Sequence, residues 1–534
     1  MYNEDITIFF AKAGLNERLS DYFPNLKSFI KQGGKEEVKK VLNSFNALGM
    51  ELIQDHIVRR EFQMKMFELF AKYARKHNSE ETFKNIIVAF EKKGTQKKLL
   101  KSHPKRSRMF YSLALYEIYN FNHNDSNKVY SSEKMEYLYK AKKNLLAVYN
   151  MHISNKISLN KIELIDCLTY LAGCLTYHLR WSESLYYLKI IEKDDQYNPN
   201  LDYTIAKVLD EIKNKTCLQK YPLLLLKIAD HSKRNIEKSG SNNSQLNQME
   251  DLFKENSNGL STLGVNLVEL REHKEIVSSE VSLYSDYEKF CLENLLFLNE
   301  HSLFCNCKRA TTDDLKIETN HSHTQLSWCG QFEEMIEVLV FDYINSRRNY
   351  YNSISTVNLN GFGVANFKRK YSRQKTKNAL LKNSFKTCYS ILDHIAYGIT
   401  KAMNFDYKKL IKEKMASDMA QYGKWRKNYN RNLYFTTLWD VLDDSDINKN
   451  WFLVSLKSIA MDLEEDGALS DFKKIRNNLE HNILHISNED TDVGNYPLNY
   501  NFNELQEKTI LLLTLTKSAI FGFKNLIRQE SKSR

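Results

Sequence analysis

An arginine and a histidine stand five residues apart in Arg476-Asn477-Asn478-Leu479-Glu480-His481. Histidine titrates near neutrality and suits proton transfer, arginine carries a permanent planar charge that suits an anion, and asparagine can orient either. On a regular helix, residues four apart project about 40° from each other and residues five apart about 140°. Asn477 and His481 therefore share a face, and Arg476 must reach round to join them. Spacing alone equally fits a solvated helix face on which Arg476 and Glu480 pair at i, i+4. His481 is nevertheless the only one of 14 histidines that lies five residues after an arginine.

Other residues could bind. Asn366 to Lys382 contains Lys368, Arg369, Lys370, Arg373, Lys375, Lys377 and Lys382 with no acid. Gln421 to Phe435 mixes Lys424, Arg426, Lys427 and Arg431 with Tyr422, Trp425, Tyr429 and Tyr434. Cations track phosphates and aromatic rings stack on unpaired bases, so the second segment predicts a single-strand binding surface with Trp425 exposed. The alternative for both is a solvated loop. Cys305, Cys307, His321, His323 and Cys329 lie within 25 residues and are ligand types that zinc favours, but CxC and HxH lack the usual CxxC spacing, and no metal is assigned. Asp393 and Asp462, on expected helices, are candidates to orient a histidine. No Gly-rich phosphate loop, HExxH or nucleophile motif is present, and no cofactor is expected.

The elements that must position these residues are helical. Only 17 Gly and 5 Pro in 534 residues are too few for a sheet protein that turns every ten residues or so. Leu381, Phe385, Cys388, Leu392, Ile395, Ile399 and Ala402 are spaced as the seam of a helix packed lengthwise in a bundle. Partner helices are expected at Phe332 to Ser346, Phe452 to Leu463, Leu469 to Ile483 and Leu505 to Phe523, giving a bundle over about 330–530. Residues 1–230 read as an array of helical repeats. The stretch Leu171 to Leu175, with Trp181, Ser184, Leu188, Ile191 and Pro199, resembles one tetratricopeptide unit. Between the halves, residues 231–264 are rich in Ser, Asn, Lys and Glu and predict a polar linker, with the second domain at 265–534.

The eight scattered cysteines are expected to be reduced and mostly core fillers. The amino terminus shows no basic cluster ahead of an apolar stretch, and no membrane span is expected, so a cytoplasmic setting without membrane attachment is predicted. The net charge of +11 is modest, but its local clustering makes nucleic acid a candidate ligand.

The Arg476 to His481 motif, preceded in order by Tyr287 to Asn299, Phe385 to Asp393 and Leu438-Trp439, resembles the HEPN superfamily, in particular a bacterial branch whose HEPN bundle follows helical repeats. The likeness covers about residues 283–530. One departure is Asn482, where a basic residue commonly follows the histidine. The resemblance implies an all-α chain: a tetratricopeptide-like array followed by an HEPN bundle. It implies a metal-independent endoribonuclease, a toxin or antiviral defence effector regulated by the repeats, with Arg476, His481 and Asn477 as catalytic residues. Such a cleavage removes a proton from the ribose 2′-hydroxyl, stabilises the phosphorane and protonates the leaving 5′-oxygen, giving 2′,3′-cyclic phosphate and 5′-hydroxyl ends. In similar proteins two copies of the motif meet across a homodimer. The implied substrate is RNA, whether tRNA, rRNA or mRNA, held by Lys424, Trp425, Arg426, Lys427 and Arg431 and by Lys368, Arg369, Lys370 and Arg373, while the repeats would take a protein or peptide trigger or an antitoxin. The alternative is a non-catalytic repeat protein, or a nucleotide-binding HEPN partner, that dimerises through the bundle.

Overall fold

The computed structural model describes residues 34–52, 106–123, 132–153, 157–194, 199–216, 218–238, 244–265, 280–317, 323–355, 369–418, 433–448, 450–464, 467–480, 484–487 and 498–532, with residues 66, 69, 73, 270, 423 and 425. The chain divides into two compact units between Cys167 and Leu168. The first contains α1 (Lys35–Leu52), α2 (Arg106–His123) and α3 (Ser132–Ile153), and α2 packs along α3. Leu138, Ala141, Leu145 and Val148 recur on one face of α3 and are buried, as helical periodicity demands. The division falls inside α4 (Lys161–Tyr177).

The second unit continues with α5 (Trp181–Asp194), α6 (Pro199–Lys215), α7 (Pro222–Lys238) and α8 (Ser244–Thr262), each packed on the next. The stretch 231–264, expected as a linker, is therefore helical over most of its length. In α8, Met249, Leu252, Asn256 and Leu260 are all buried. Met249 and Leu252 pack against Ala206 of α6, and Leu260 packs against Leu225 and Leu226 of α7. One buried residue per turn is enough to seat a helix whose other faces are Ser, Asn and Glu, and bulk composition hides that stripe. The polar run 239–243 lies outside the described residues.

A strap then crosses the bundle. It runs from α9 (Asp286–Glu293), started by a Ser285/Glu288 capping box, through 3₁₀ turns at Glu300–Leu303 and Lys308–Thr311. Buried cations hold it. Arg347 donates to both carboxylate oxygens of Asp313 (2.8 and 2.6 Å), to the Leu296 carbonyl (2.8 Å) and to Tyr287 Oη (2.8 Å). Lys517 donates to the Leu295 carbonyl (2.6 Å), and Lys524 pairs with Glu300 (2.8 Å).

Five helices make the bundle: α10 (His323–Ile354), α11 (Arg369–Ala402), α15 (Trp451–Leu463), α16 (Ser470–Glu480) and α17 (Phe502–Ser531). Between α11 and α15 lie the shorter α12 (Tyr407–Ser417), α13 (Phe435–Val441) and α14 (Asp444–Ile447). Helices α10, α11 and α17 pack pairwise, α15 and α5 lie on α17, and α16 lies on α11 and α15. The expected seam of α11 is real: Leu381, Phe385, Cys388, Leu392, Ile395, Ile399 and Ala402 are all fully buried. Gly398 is required where the helices cross, since a Cβ there would collide with Phe523 of α17 and Met335 of α10. By length and composition α17 could cross a membrane, but 94% of its most apolar window is buried within the fold, where it forms the bundle's core helix. Among the described residues the fold is all-α apart from one two-stranded parallel sheet, β1 (Leu484–Ser487) with β2 (Leu498–Asn501), in register Leu484↔Leu498. Six of the seven described cysteines are buried, Cys305 is half-buried, and all seven are free thiols.

Candidate active site

Helix α16 begins at a tight corner after α15. Leu469 donates its N–H to the Asp462 carbonyl (2.8 Å), and Gly467 has no room for a Cβ against the backbone of Met461 and Asp462. Phe472, Ile475 and Leu479 then bury one face, which turns Lys473, Arg476, Asn477 and Glu480 toward a cavity of about 370 Å³. Asp393 of α11 and Tyr434 and Phe435 at the start of α13 close its other walls.

Arg476 sits between two carboxylates. Its Nη2 donates to Asp393 Oδ2 at 3.3 Å, and its Nε forms an ion pair with Glu480 Oε1 at 2.9 Å. The guanidinium also lies over the Tyr434 ring at 5.2 Å and near that of Tyr389 at 5.9 Å, within range of cation–π attraction. The i, i+4 pair with Glu480 is therefore present, with Arg476 half-buried on the wall of a cavity and Glu480 exposed at its edge. Asp393 is held in turn by the Phe435 N–H (2.9 Å). Burial lifts its carboxyl above the ordinary 3.8, against the pull of that N–H and of Arg476. The Tyr389 hydroxyl is buried, has no hydrogen-bond partner and belongs to a cavity-lining residue. Burial holds its pKa well above the phenol range, so it stays a neutral donor.

Of the three residues of the predicted motif, Arg476 and Asn477 line the same cavity, although their spacing placed Asn477 with His481. His481 lies outside the described residues, between Glu480 at the end of α16 and Leu484 at the start of β1. β1 is fastened to α11: Lys382 donates to the Leu484 carbonyl at 2.7 Å, and Asn378 to that of Ile486 at 3.5 Å. Asp393 reaches the motif, through its arginine. Asp462 does not: its carboxylate pairs at 2.5 Å with Arg180, at the turn between α4 and α5, and Arg180 also pairs with Glu183.

The expected basic surfaces fare differently. Trp425 is 4% exposed and packs with Ile411 of α12 and Val441 of α13, its Nε1 donating to Asp418 at 3.4 Å. It is a packing residue and not an exposed stacking platform. A single indole with two aliphatic partners is buried while its charged sequence neighbours need not be. Those neighbours, Lys424, Arg426, Lys427 and Arg431, lie outside the described residues, as does Lys368. Arg369, Lys370 and Arg373 fall in the first turns of α11, not in a loop. Lys473, three residues before Arg476 and therefore on its side of the helix, lines the cavity with no sequence signal to set it apart, and Tyr434, expected to stack on bases, lies against Arg476.

An arginine flanked by two carboxylates thus faces a cavity of the helical bundle. Residues 324–530 match the sequence model of the LA2681-like HEPN family, so the C-terminal part of the chain is an HEPN domain. That superfamily is one of ribonucleases and nucleotide-binding proteins. The match begins after the strap, leaving Tyr287 to Asn299 outside it. No curated protein and no solved structure matches the chain.

Proposed function

We propose that this chain is a metal-independent endoribonuclease in which Arg476, Asn477 and His481 act on a phosphodiester, and that its helical repeats restrain it until a protein or peptide trigger binds. The observation that carries the reading is the pre-aimed Arg476: a cation held by Asp393 and Glu480 beside an open cavity is poised for a phosphate that can displace a carboxylate. Asn477 supplies a neutral donor in the same space. His481, at the next position after Glu480, supplies the proton transfers. Paired motifs across a homodimer would bring a second set of these groups. A cytoplasmic toxin or antiviral effector acting on tRNA, rRNA or mRNA is the biological role this chemistry suits.

The test is cleavage of total RNA by the purified chain in EDTA, with end-group analysis. Cyclic phosphate and 5′-hydroxyl ends, lost in His481→Ala together with growth arrest on expression, are expected. Strict dependence on Mg²⁺ with 5′-phosphate products sinks the mechanism. Mixing Arg476→Ala and His481→Ala chains tests the composite site: activity recovered by heterodimers supports it, and full activity in a stable monomer contradicts it.

A further inference from the structure

Outside the cavity, the structure gathers a second set of reactive groups on the strap. His301 Nε2, Cys305 Sγ and Cys307 Sγ all lie within 4.8 Å of one another. The imidazole and the Cys307 sulfur are 2.9 Å apart, and the Cys307 N–H donates to the Cys305 sulfur at 3.4 Å. In a tetrahedral zinc site with bonds of roughly 2.0–2.3 Å, neighbouring ligand atoms stand about 3.3–3.8 Å apart. These three atoms therefore need to move by only about an ångström to close on an ion.

The surroundings fit a ligand set. The Tyr221 hydroxyl engages the other ring nitrogen, Nδ1, at 2.9 Å, which leaves Nε2 toward the sulfurs and fixes the ring, as outer partners of metal-bound histidines do. The backbone is fixed as well. Asn299 accepts from the His301 N–H (2.7 Å), and its side-chain amide donates to the Arg309 carbonyl (2.8 Å) and to Thr312 Oγ1 (2.9 Å), so the loop bearing all three ligands is closed on itself. Tyr284 Oη donates to the Asn306 carbonyl at 3.2 Å, between the two cysteines. His301 and Cys307 are buried while Cys305 is half-exposed, which gives an ion a path of entry.

We propose that His301, Cys305 and Cys307 bind one zinc ion through one imidazole and two thiolates, with water in the fourth position. Both thiols give up their protons to solvent on binding, so the two sulfur charges neutralise the ion. The ion stands where the His301–Cys307 hydrogen bond now lies and rivets the strap that Lys517 and Lys524 tie to the core helix. This holds whether or not the chain cleaves RNA.

Cobalt(II) alone, added to the full chain prepared under reductant and stripped with a chelator, is the probe. Expected are tetrahedral visible bands and a thiolate-to-cobalt charge-transfer band that saturate at one ion per chain, disappear when zinc is added, and are absent in Cys305→Ser/Cys307→Ser. Zinc should raise the melting temperature of the parent and leave that of the double variant unmoved. If the double variant does not fold, Cys305→Ser alone decides: its charge-transfer intensity must fall, since one of two sulfur donors is gone. An octahedral cobalt spectrum, charge transfer that persists in the double variant or is undiminished in Cys305→Ser, or a Cys305–Cys307 disulfide in the reduced preparation overturns the site.

Discussion

Asp393 holds its proton more tightly than an exposed aspartate despite its arginine neighbour, because the cost of burying the charge exceeds the help from Arg476 and the Phe435 N–H. The folded state thus gains stability from that proton. The gain is complete below the unfolded value of about 4 and is lost as pH rises through the higher folded value. Asp393→Asn, which keeps an acceptor for Phe435, should therefore flatten the dependence of Tm on pH just above pH 4 without lowering Tm at neutrality. Thermal melts across that range check this, and a marked loss of stability at pH 7 contradicts it. RNA cleavage by the same variant should fall, since Arg476 loses one of the two carboxylates that aim it. At Trp425 the expected change is to stability. Truncation to Ala removes a buried indole and costs about 3–5 kcal/mol, read as a lower denaturant midpoint, while RNA binding by the chain that remains folded is unchanged.

Among the elements, those with long regular periodicity were legible and those that depend on distant partners were not. The α11 seam, the buried faces of α15 and the inward face of α16 follow from 3.6-residue spacing, and every described seam residue is buried. The two short strands carry no such signal, since four residues each cannot establish an alternation and their register depends on a partner fourteen positions away. Helix α8 was hidden by its composition, and Trp425 by its charged flanks. The candidate site was legible as a motif, but Tyr434 and Lys473 became part of it only when α13 and α16 were set against α11. Gly398 marks how closely these helices approach. Gly398→Ala forces a methyl into the Phe523 ring and Met335 and should destabilise the chain by about 1–3 kcal/mol, measured by denaturant melts.

Across the whole C-terminal unit, one buried ion pair links parts of the sequence 282 residues apart. Arg180 and Asp462 are 1% and 0% exposed, and no local pattern announces them. Arg180→Met leaves Asp462 and Glu183 buried without their cation and should cost about 3–5 kcal/mol. Adding Asp462→Leu should restore part of that loss, and a double variant no more stable than the single one would show that the charges do not act as a pair. Because Leu469 hangs from the carbonyl of the same Asp462, the pair also anchors the corner from which the motif helix starts.

Helix α17 has a consequence for synthesis. It is the surface on which α5, α10, α11 and α15 all pack, yet it leaves the ribosome after every one of them. Until it emerges, the apolar faces of those four helices have no common partner, and a nascent chain must wait with them uncovered or shielded by a chaperone. The cavity around Arg476, whose walls are built from α11, α13 and α16, therefore matures only once α17 has emerged, and a chain stopped before Phe502 should be captured by proteases and not accumulate as an active fragment.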